Sequence, residues 1–337
     1  LTDIRKVEEG LGALFREQHG VEAKVHGFED ITVGWETQIV AFRLSKPGTE
    51  DLHLIARIYS GLGSARKAER EFNVMRNLAT VSYPVPRVYT YEIDDKTLGS
   101  PFIVMERILG GTLWDVFFTS PKEKYGEVLA LNSLLMAQLH NVPPWKVLPG
   151  SSRIGTRRHA RGRVEAESRE LAEYRLATAF APLINWLNAN AGGIVESPPC
   201  LIHQDLHPRN ILLRQDGTPV VIDWSSCLIG DFREDLCWTA LLAGTFVDES
   251  LKVAVYDAYA KTSTRALVDL HFFEALVSLR RLTDAVITMK AGAEARGMRP
   301  EAAKEMKGNK QHYLNILEVL VELTGVRLPE VDLILGA

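Results

Sequence analysis

A chain of 337 residues, 46% of them hydrophobic and 24% charged, carries enough apolar material for a sizeable core in one large domain or two smaller ones. Its formal net charge of −4 excludes the strongly basic balance of a nucleic-acid binder and, over this length, decides nothing about a cationic substrate. No apolar run approaches the roughly 18 residues of a membrane span and no signal-peptide pattern opens the chain, so a cytoplasmic protein with no membrane partner is expected.

The leading leucine gives the expectation that a few residues precede it. The three cysteines, Cys200, Cys227 and Cys237, are odd in number and lack metal-ligand spacing, which reads as reduced thiols. In chain order, residues 31–44 hold two short β-branched runs around Gly34 and Trp35, and residues 52–59 read as another strand. A short apolar strand over 102–105 is entered through Gly99, Ser100 and Pro101. Between them a helix is predicted over 64–79, capped by Ser64 and striped by Ala68, Phe72, Met75 and Ala79. Pro84 and Pro86 stop it.

After Gly110 and Gly111 the pattern turns helical. Helices are predicted over 127–140, over 165–190 as one or two with Pro182 starting a turn, and over 250–262, 266–290 and 299–324. The arginine-rich stretch 146–163 reads as a solvated loop. The plan is α+β and bilobal: a small strand-rich lobe, residues 1–107, and a larger mainly helical lobe, residues 108–337. A ligand between two such lobes is the default expectation.

The chemistry concentrates in residues 203–224. Asp216-Gly217 is a two-residue hairpin signal, with strands predicted over 211–213 and 220–222. A turn centred there places Asn210 across from Asp223 at the open end; a longer turn would shift the register by a residue or so. An amide oxygen and a carboxylate so placed suit a hard divalent cation. Asp205 enters the same end and could accept the proton of an attacking hydroxyl. A competing reading sets His203, Asp205 and His207 on one face of a strand as a zinc site of a metal-dependent hydrolase, which leaves Asn210 and Asp223 unexplained.

His203-Gln204-Asp205, followed by Asn210 and then by Ile222-Asp223-Trp224, resembles the aminoglycoside phosphotransferase family, small-molecule relatives of the protein kinases. The family pattern is His-Gly-Asp with an Asn five residues after the Asp, then Ile-Asp-Trp. The resemblance implies a protein-kinase-like fold, ATP and Mg2+ as cofactors, Asp205 as catalytic base, and Asn210 and Asp223 as metal ligands. Gln204 stands where the family has glycine, Arg209 where glycine is frequent, and Phe232 where proline is frequent. Residues 230–236 resemble a further family segment in which Asp235 would start a helix and brace the catalytic loop.

The same resemblance implies that Arg57 reaches the nucleotide phosphates and that a helix glutamate pairs with it. Glu71 lies about 70° from the apolar line of its helix and Glu69 about 90°, which favours Glu71. Only Gly34 stands in the expected glycine loop. The hinge would bind the adenine edge through the Glu106 carbonyl and the Ile108 amide, with Met105 behind. The expected activity is transfer of the γ-phosphate of ATP to a hydroxyl of a small molecule; the alternative is a non-catalytic nucleotide-binding module. The resemblance leaves open aminoglycoside, macrolide, choline, homoserine or fructosamine as acceptor, and Glu274, Arg280, Arg281 and Asp284 offer both signs of charge along one C-terminal helix.

Overall fold

A computed structural model describes residues 2–32, 37–61, 63–151 and 154–336. The expected glycine loop, with Gly34 and Trp35, lies outside the described residues. The chain divides into two compact units, Leu1–Thr112 with Leu212–Ser226, and Leu113–Ile211 with Cys227–Ala337. No helix among the described residues is long and apolar enough to cross a membrane.

The first unit contains α1 (Ile4–His19), β1 (Lys24–Asp30), β2 (Thr37–Ser45), β3 (Leu52–Tyr59), α2 (Ser64–Thr80), β4 (Val88–Glu92) and β5 (Phe102–Glu106). The strands form one antiparallel sheet in the order β1-β2-β3-β5-β4. Alternation along β2 and β3 sends Val40, Phe42, Leu44, Leu54, Ala56 and Ile58 into one core with Val7, Leu11 and Phe15 of α1. Each buried side chain of the larger kind contributes about 1.5–3 kcal/mol. Arg57, between Ala56 and Ile58, faces the other way. The α2 N-cap is Gly63, with no side-chain cap, so Ser64 is the first helical residue rather than the cap. Ala79 is exposed, and the buried face instead runs through Ala68, Glu71, Phe72, Val74, Met75 and Leu78.

Four further strands are β6 (Cys200–Ile202), β7 (Ile211–Leu213), β8 (Pro219–Val221) and β9 (Leu228–Gly230), paired β6 with β9 and β7 with β8. The expected single boundary after residue 107 is therefore replaced by an excursion: residues 212–226 return to the first unit. Backbone bonds cause this, Leu213 N–H to the Gly111 carbonyl at 2.9 Å and Val221 N–H to the Pro84 carbonyl at 2.8 Å. The approach is so close that a Cβ on Gly110 would lie 1.7 Å from the Leu213 oxygen. The hairpin turn is longer than two residues. Arg214 N–H bonds Thr218 O, Gly217 N–H bonds Arg214 O, and Gly217 has φ +83°. Three residues close the turn, with glycine in the left-handed region, which shifts the register by one from the two-residue reading.

The second unit contains α3 (Asp115–Thr119), α4 (Tyr125–Asn141), α5 (Pro144–Val147), α6 (Thr156–Glu173), α7 (Ala177–Asn190), α8 (Phe232–Phe246), α9 (Ser250–Thr262), α10 (Leu270–Ala291), α11 (Pro300–Gly308), α12 (Lys310–Thr324) and α13 (Pro329–Gly336). The stretch read as a solvated loop over 146–163 is helical from Thr156 on, because Thr156, His159, Ala160 and Val164 turn inward at helical spacing. Pro182 lies inside α7 rather than starting a turn. Residues 299–324 split into two helices at Asn309. α10 is buried along most of its length and packs against α6, α7, α8, α11, α12 and α13.

Candidate active site

In the first unit, β3 and α2 bring Arg57 and Glu71 together. Arg57 Nη1 donates to Glu71 Oε1 at 2.8 Å, Nη2 to Asp223 Oδ1 at 2.8 Å, and Nε to Thr37 Oγ1 at 3.1 Å. Glu71 is fully buried. Its carboxylate also accepts the Tyr59 hydroxyl and the Trp224 N–H, the latter at 3.3 Å. Burial pushes the Glu71 carboxyl up, and Arg57 pulls it back. Burial lowers the Arg57 guanidinium, but Asp223 and Glu71 outweigh it and hold the group protonated. Glu69, the other candidate, is exposed.

Asp223 itself is left-handed, with φ +68°, a conformation that costs a non-glycine residue about 1–2 kcal/mol. One carboxylate oxygen, Oδ1, takes Arg57 and the Ser225 hydroxyl; Oδ2 has no hydrogen bond among the described residues. At the end of β5, the Glu106 carboxylate is gripped on both oxygens by Arg214, at 2.5 and 2.9 Å, and is held below its ordinary value by that arginine. The Ile108 amide makes no hydrogen bond among the described residues, although Arg107 N–H beside it bonds His53 O at 2.9 Å.

In the second unit, residues 203–210 form a loop and a short 3-10 turn, not a strand. Asp235, in the first turn of α8, accepts the His203 N–H at 2.8 Å and the Gln204 N–H at 2.6 Å. It braces the loop, while Asp231 caps α8 by accepting the Arg233 N–H. Gln204 has φ +72°, so the family's glycine at this position has a conformational reason.

Three side-chain donors converge on the Asp205 carboxylate. Trp238 Nε1–H reaches Oδ1 at 2.7 Å, Asn210 Nδ2 reaches Oδ2 at 3.0 Å, and His207 Nε2 lies 3.1 Å from Oδ1. His207 Nδ1 accepts the Arg209 N–H, so its proton sits on Nε2 and points at Asp205. Burial raises the Asp205 carboxyl, but His207, Arg280 and His203 more than offset it and hold the group well below the usual carboxylate range. Asn210 gives its other amide hydrogen to the Asp205 main-chain oxygen at 2.8 Å. Among the described residues, no hydrogen bond reaches Asn210 Oδ1 in this unit or, in the first unit, Asp223 Oδ2.

The strand that a zinc reading needs is not there. His203 is fully buried with Nδ1 turned to the Asp205 N–H at 3.2 Å, and His207 is committed to Asp205. No group of three or more His, Cys, Asp or Glu side chains among the described residues could hold a metal ion.

Sequence reasoning passed over Trp238 and left Arg280 without a role. Arg280 stacks 4.0 Å from the Trp238 ring centroid and donates to the Gln204 carbonyl at 2.8 Å. Neither residue lies near the loop in sequence, and no local pattern marks them.

A family model described as "Phosphotransferase enzyme family" matches residues 27–271. Among curated relatives, Acyl-CoA dehydrogenase family member 11 of Pongo abelii is 27% identical over 186 residues, 53% of this chain and 23% of that protein, so the chain covers under a quarter of such a relative. Among solved structures, a Ralstonia eutropha protein named as an aminoglycoside phosphotransferase aligns with a TM-score of 0.64 at 20% identity, covering 92% of this chain and 98% of that one. A thermostable mutant of aminoglycoside phosphotransferase APH(4)-Ia, in ternary complex with ADP and hygromycin B, aligns with a TM-score of 0.61 at 15% identity over 92% and 98% of the two chains. At these identities the structural matches establish a shared kinase-like fold.

Proposed function

Because the chain belongs to this phosphotransferase enzyme family and is a small-molecule kinase, we propose that it transfers the γ-phosphate of ATP, with Mg2+, to a hydroxyl of a small molecule. The observation that carries the reading is the Asp205 carboxylate, fixed by Trp238, Asn210 and His207 on a loop braced by Asp235. Phosphoryl transfer has a loose transition state, so positioning and charge stabilisation supply most of the catalysis. An acid held as low as Asp205 is a weak base. It aligns the attacking hydroxyl by accepting its hydrogen bond and takes the proton late, as the bond to phosphorus forms.

On the nucleotide side, the free Ile108 amide suits an adenine-edge acceptor, with the Glu106 carbonyl as its partner. Arg57 would clamp phosphate oxygens while Glu71 holds it in place. A Mg2+ ion held through Asn210 Oδ1 and Asp223 Oδ2 would neutralise phosphate charge.

The test is Asp205→Asn, which keeps the shape and removes the charge. ADP release with a productive acceptor is expected to fall by about 10²–10⁴-fold, with ATP affinity little changed. Turnover at the wild-type rate would sink the assignment. ATP binding with no ADP release across aminoglycosides, macrolides, choline, homoserine and fructosamines would instead favour the non-catalytic module.

A further inference from the structure

The second unit buries an arginine with no acidic partner. Arg281 of α10 is 7% exposed, yet makes no ion pair with any described residue. Its Nε donates to His312 Nε2 at 3.0 Å and its Nη2 lies 3.4 Å from the Tyr313 hydroxyl, both neutral groups of α12. The imidazole cannot be a cation here. Its Nε2 accepts the hydrogen bond of the Arg281 Nε–H, its Nδ1 pairs with Thr245 Oγ1 at 2.8 Å, and burial together with Arg281 pushes it down to about 2. The acids on α10 are committed elsewhere: Asp284, one turn away, to Arg296, and Glu274, two turns away, to Lys252 at 2.5 Å and to the Tyr256 hydroxyl.

Buried charges are ordinarily paired, because an isolated ion away from water is costly. Arg281 Nη1 has no hydrogen bond among the described residues, and it is not among the atoms sealed from solvent. A guanidinium held in place by two neutral groups, with one donor nitrogen still open, has the character of an anion receptor.

Its position ties it to the reaction. Trp238, which donates to Asp205, and Thr245, which holds His312, lie on one face of α8 two turns apart, roughly 10 Å along the axis. The residue before Arg281, Arg280, stacks on Trp238 and bonds the catalytic loop, and it too lacks a contact ion pair. The acids that feel the charge of Arg280 are Asp205, Glu234 and, raised to about 7 by burial and Asp284, Glu167.

We propose that Arg281 binds an oxyanion, a carboxylate or a phosphate, carried by the acceptor molecule some distance from the hydroxyl that is phosphorylated. This rests on the phosphotransfer reading for the hydroxyl, and it makes the acceptor an anionic hydroxy compound rather than a polycation.

The experiment uses the full chain as wild type, Arg281→Gln and Arg281→Lys, with two readouts. The first is protection against thermal unfolding by sodium sulfate relative to sodium chloride at equal ionic strength. The second is ADP release with short hydroxy acids, hydroxyalkyl phosphates, and the matching neutral diols and amino alcohols. Sulfate should protect the wild type. One anionic series should show a lower KM than the diols, the carboxylate or the phosphate arm naming the group. In Arg281→Gln the KM for that series should rise roughly 30-fold or more, with the diol KM unchanged. Arg281→Lys, which keeps the charge and loses the fork, should fall between and gives the same reading if the glutamine variant does not fold. Equal sulfate protection in all three proteins, or preference for amino alcohols over hydroxy acids, would overturn the proposal. If no acceptor yields ADP, the phosphotransfer reading fails, and the sulfate arm still judges the anion site by itself.

Discussion

The two units handle buried charge in opposite ways. In the first, one cation is shared by two acids: Arg57 lies between Glu71 and Asp223. In the second, one acid is surrounded by donors: Asp205 takes Trp238, Asn210 and His207. On the proposed phosphotransfer reading, an arginine with two carboxylates already in place would share its donors when phosphates arrive, and the open Asp223 Oδ2 would meet the metal. The Asp205 carboxylate needs no such exchange and is fixed before any substrate is present. The first centre is therefore the adjustable one and the second the rigid one.

Removing the shared cation is the severest way to break that comparison. Arg57→Met leaves Glu71 buried with only the Tyr59 hydroxyl and the Trp224 N–H, and it is expected to cost about 3–5 kcal/mol of unfolding free energy. The loss should be smaller at low pH, because Glu71 can then be protonated and no longer needs a counter-charge. Urea titrations at two pH values measure both effects. A loss below about 1 kcal/mol would mean that Glu71 is neutral in the wild type as well.

The second effect in size lies in the second unit, where two acids near Arg280 have opposite fates. Asp205 has donors and is held low; Glu167 has no hydrogen bond and is pushed up to about 7, by burial first and Asp284 second. A carboxyl whose folded-state value is raised favours the fold fully below its unfolded value near 4.5, and this contribution is lost as pH rises through about 7. Glu167→Gln removes that titration. Against wild type, it should gain about 2–3 kcal/mol between pH 5 and pH 8, read as a Tm difference that opens across this range. A Tm difference that does not vary with pH would show that Glu167 has a donor after all.

The contrast between the centres also explains what could be seen in the sequence. The residues of the rigid loop lie within a few positions of one another, so the spacing of Asp205 and Asn210 was visible, and so was the Asp223 segment. Glu71 was favoured over Glu69 by helical phase, and the structure buries it. The strand over 52–59 is the observed β3, since a half-buried strand writes its alternation plainly. β1 and β4 escaped because neither has a buried residue to mark a face. The 146–163 stretch misled because arginines of α6 sit between its inward positions. The hairpin register failed on one residue: Gly217 takes the left-handed position of a three-residue turn, and the same Asp-Gly pair serves turns of both lengths. Trp238, Arg280 and Arg281 belong to the tertiary packing of α8 and α10, which no local pattern encodes.

Trp238 allows a finer test of rigidity. Trp238→Phe removes one N–H from an ionised carboxylate and preserves a ring on which Arg280 can stack. A hydrogen bond to a charged group contributes about 1.5–3 kcal/mol, so kcat is expected to fall about tenfold or somewhat more while the KM for ATP stays put. An unchanged kcat would mean that Asn210 and His207 alone fix the carboxylate.

The smallest effect is expected at Gln204, a non-glycine residue in the left-handed region. Its φ of +72° costs a side chain about 1–2 kcal/mol, and glycine would relieve that. Glycine would also lose the Gln204 Nε2 bond to Glu234 at 3.3 Å and add about 0.5–1 kcal/mol of unfolded-state entropy. These terms nearly cancel, so Gln204→Gly should change stability by less than about 1 kcal/mol. The groups that hold the loop at this position are main-chain ones, the N–H on Asp235 and the carbonyl under Arg280, and glycine keeps both. Turnover should therefore be unaffected. A large loss of kcat in Gln204→Gly, with the fold intact by Tm, would show that Glu234 stiffens the Asp205 loop through the glutamine side chain, and that the rigid centre extends one residue further than its main-chain bonds indicate.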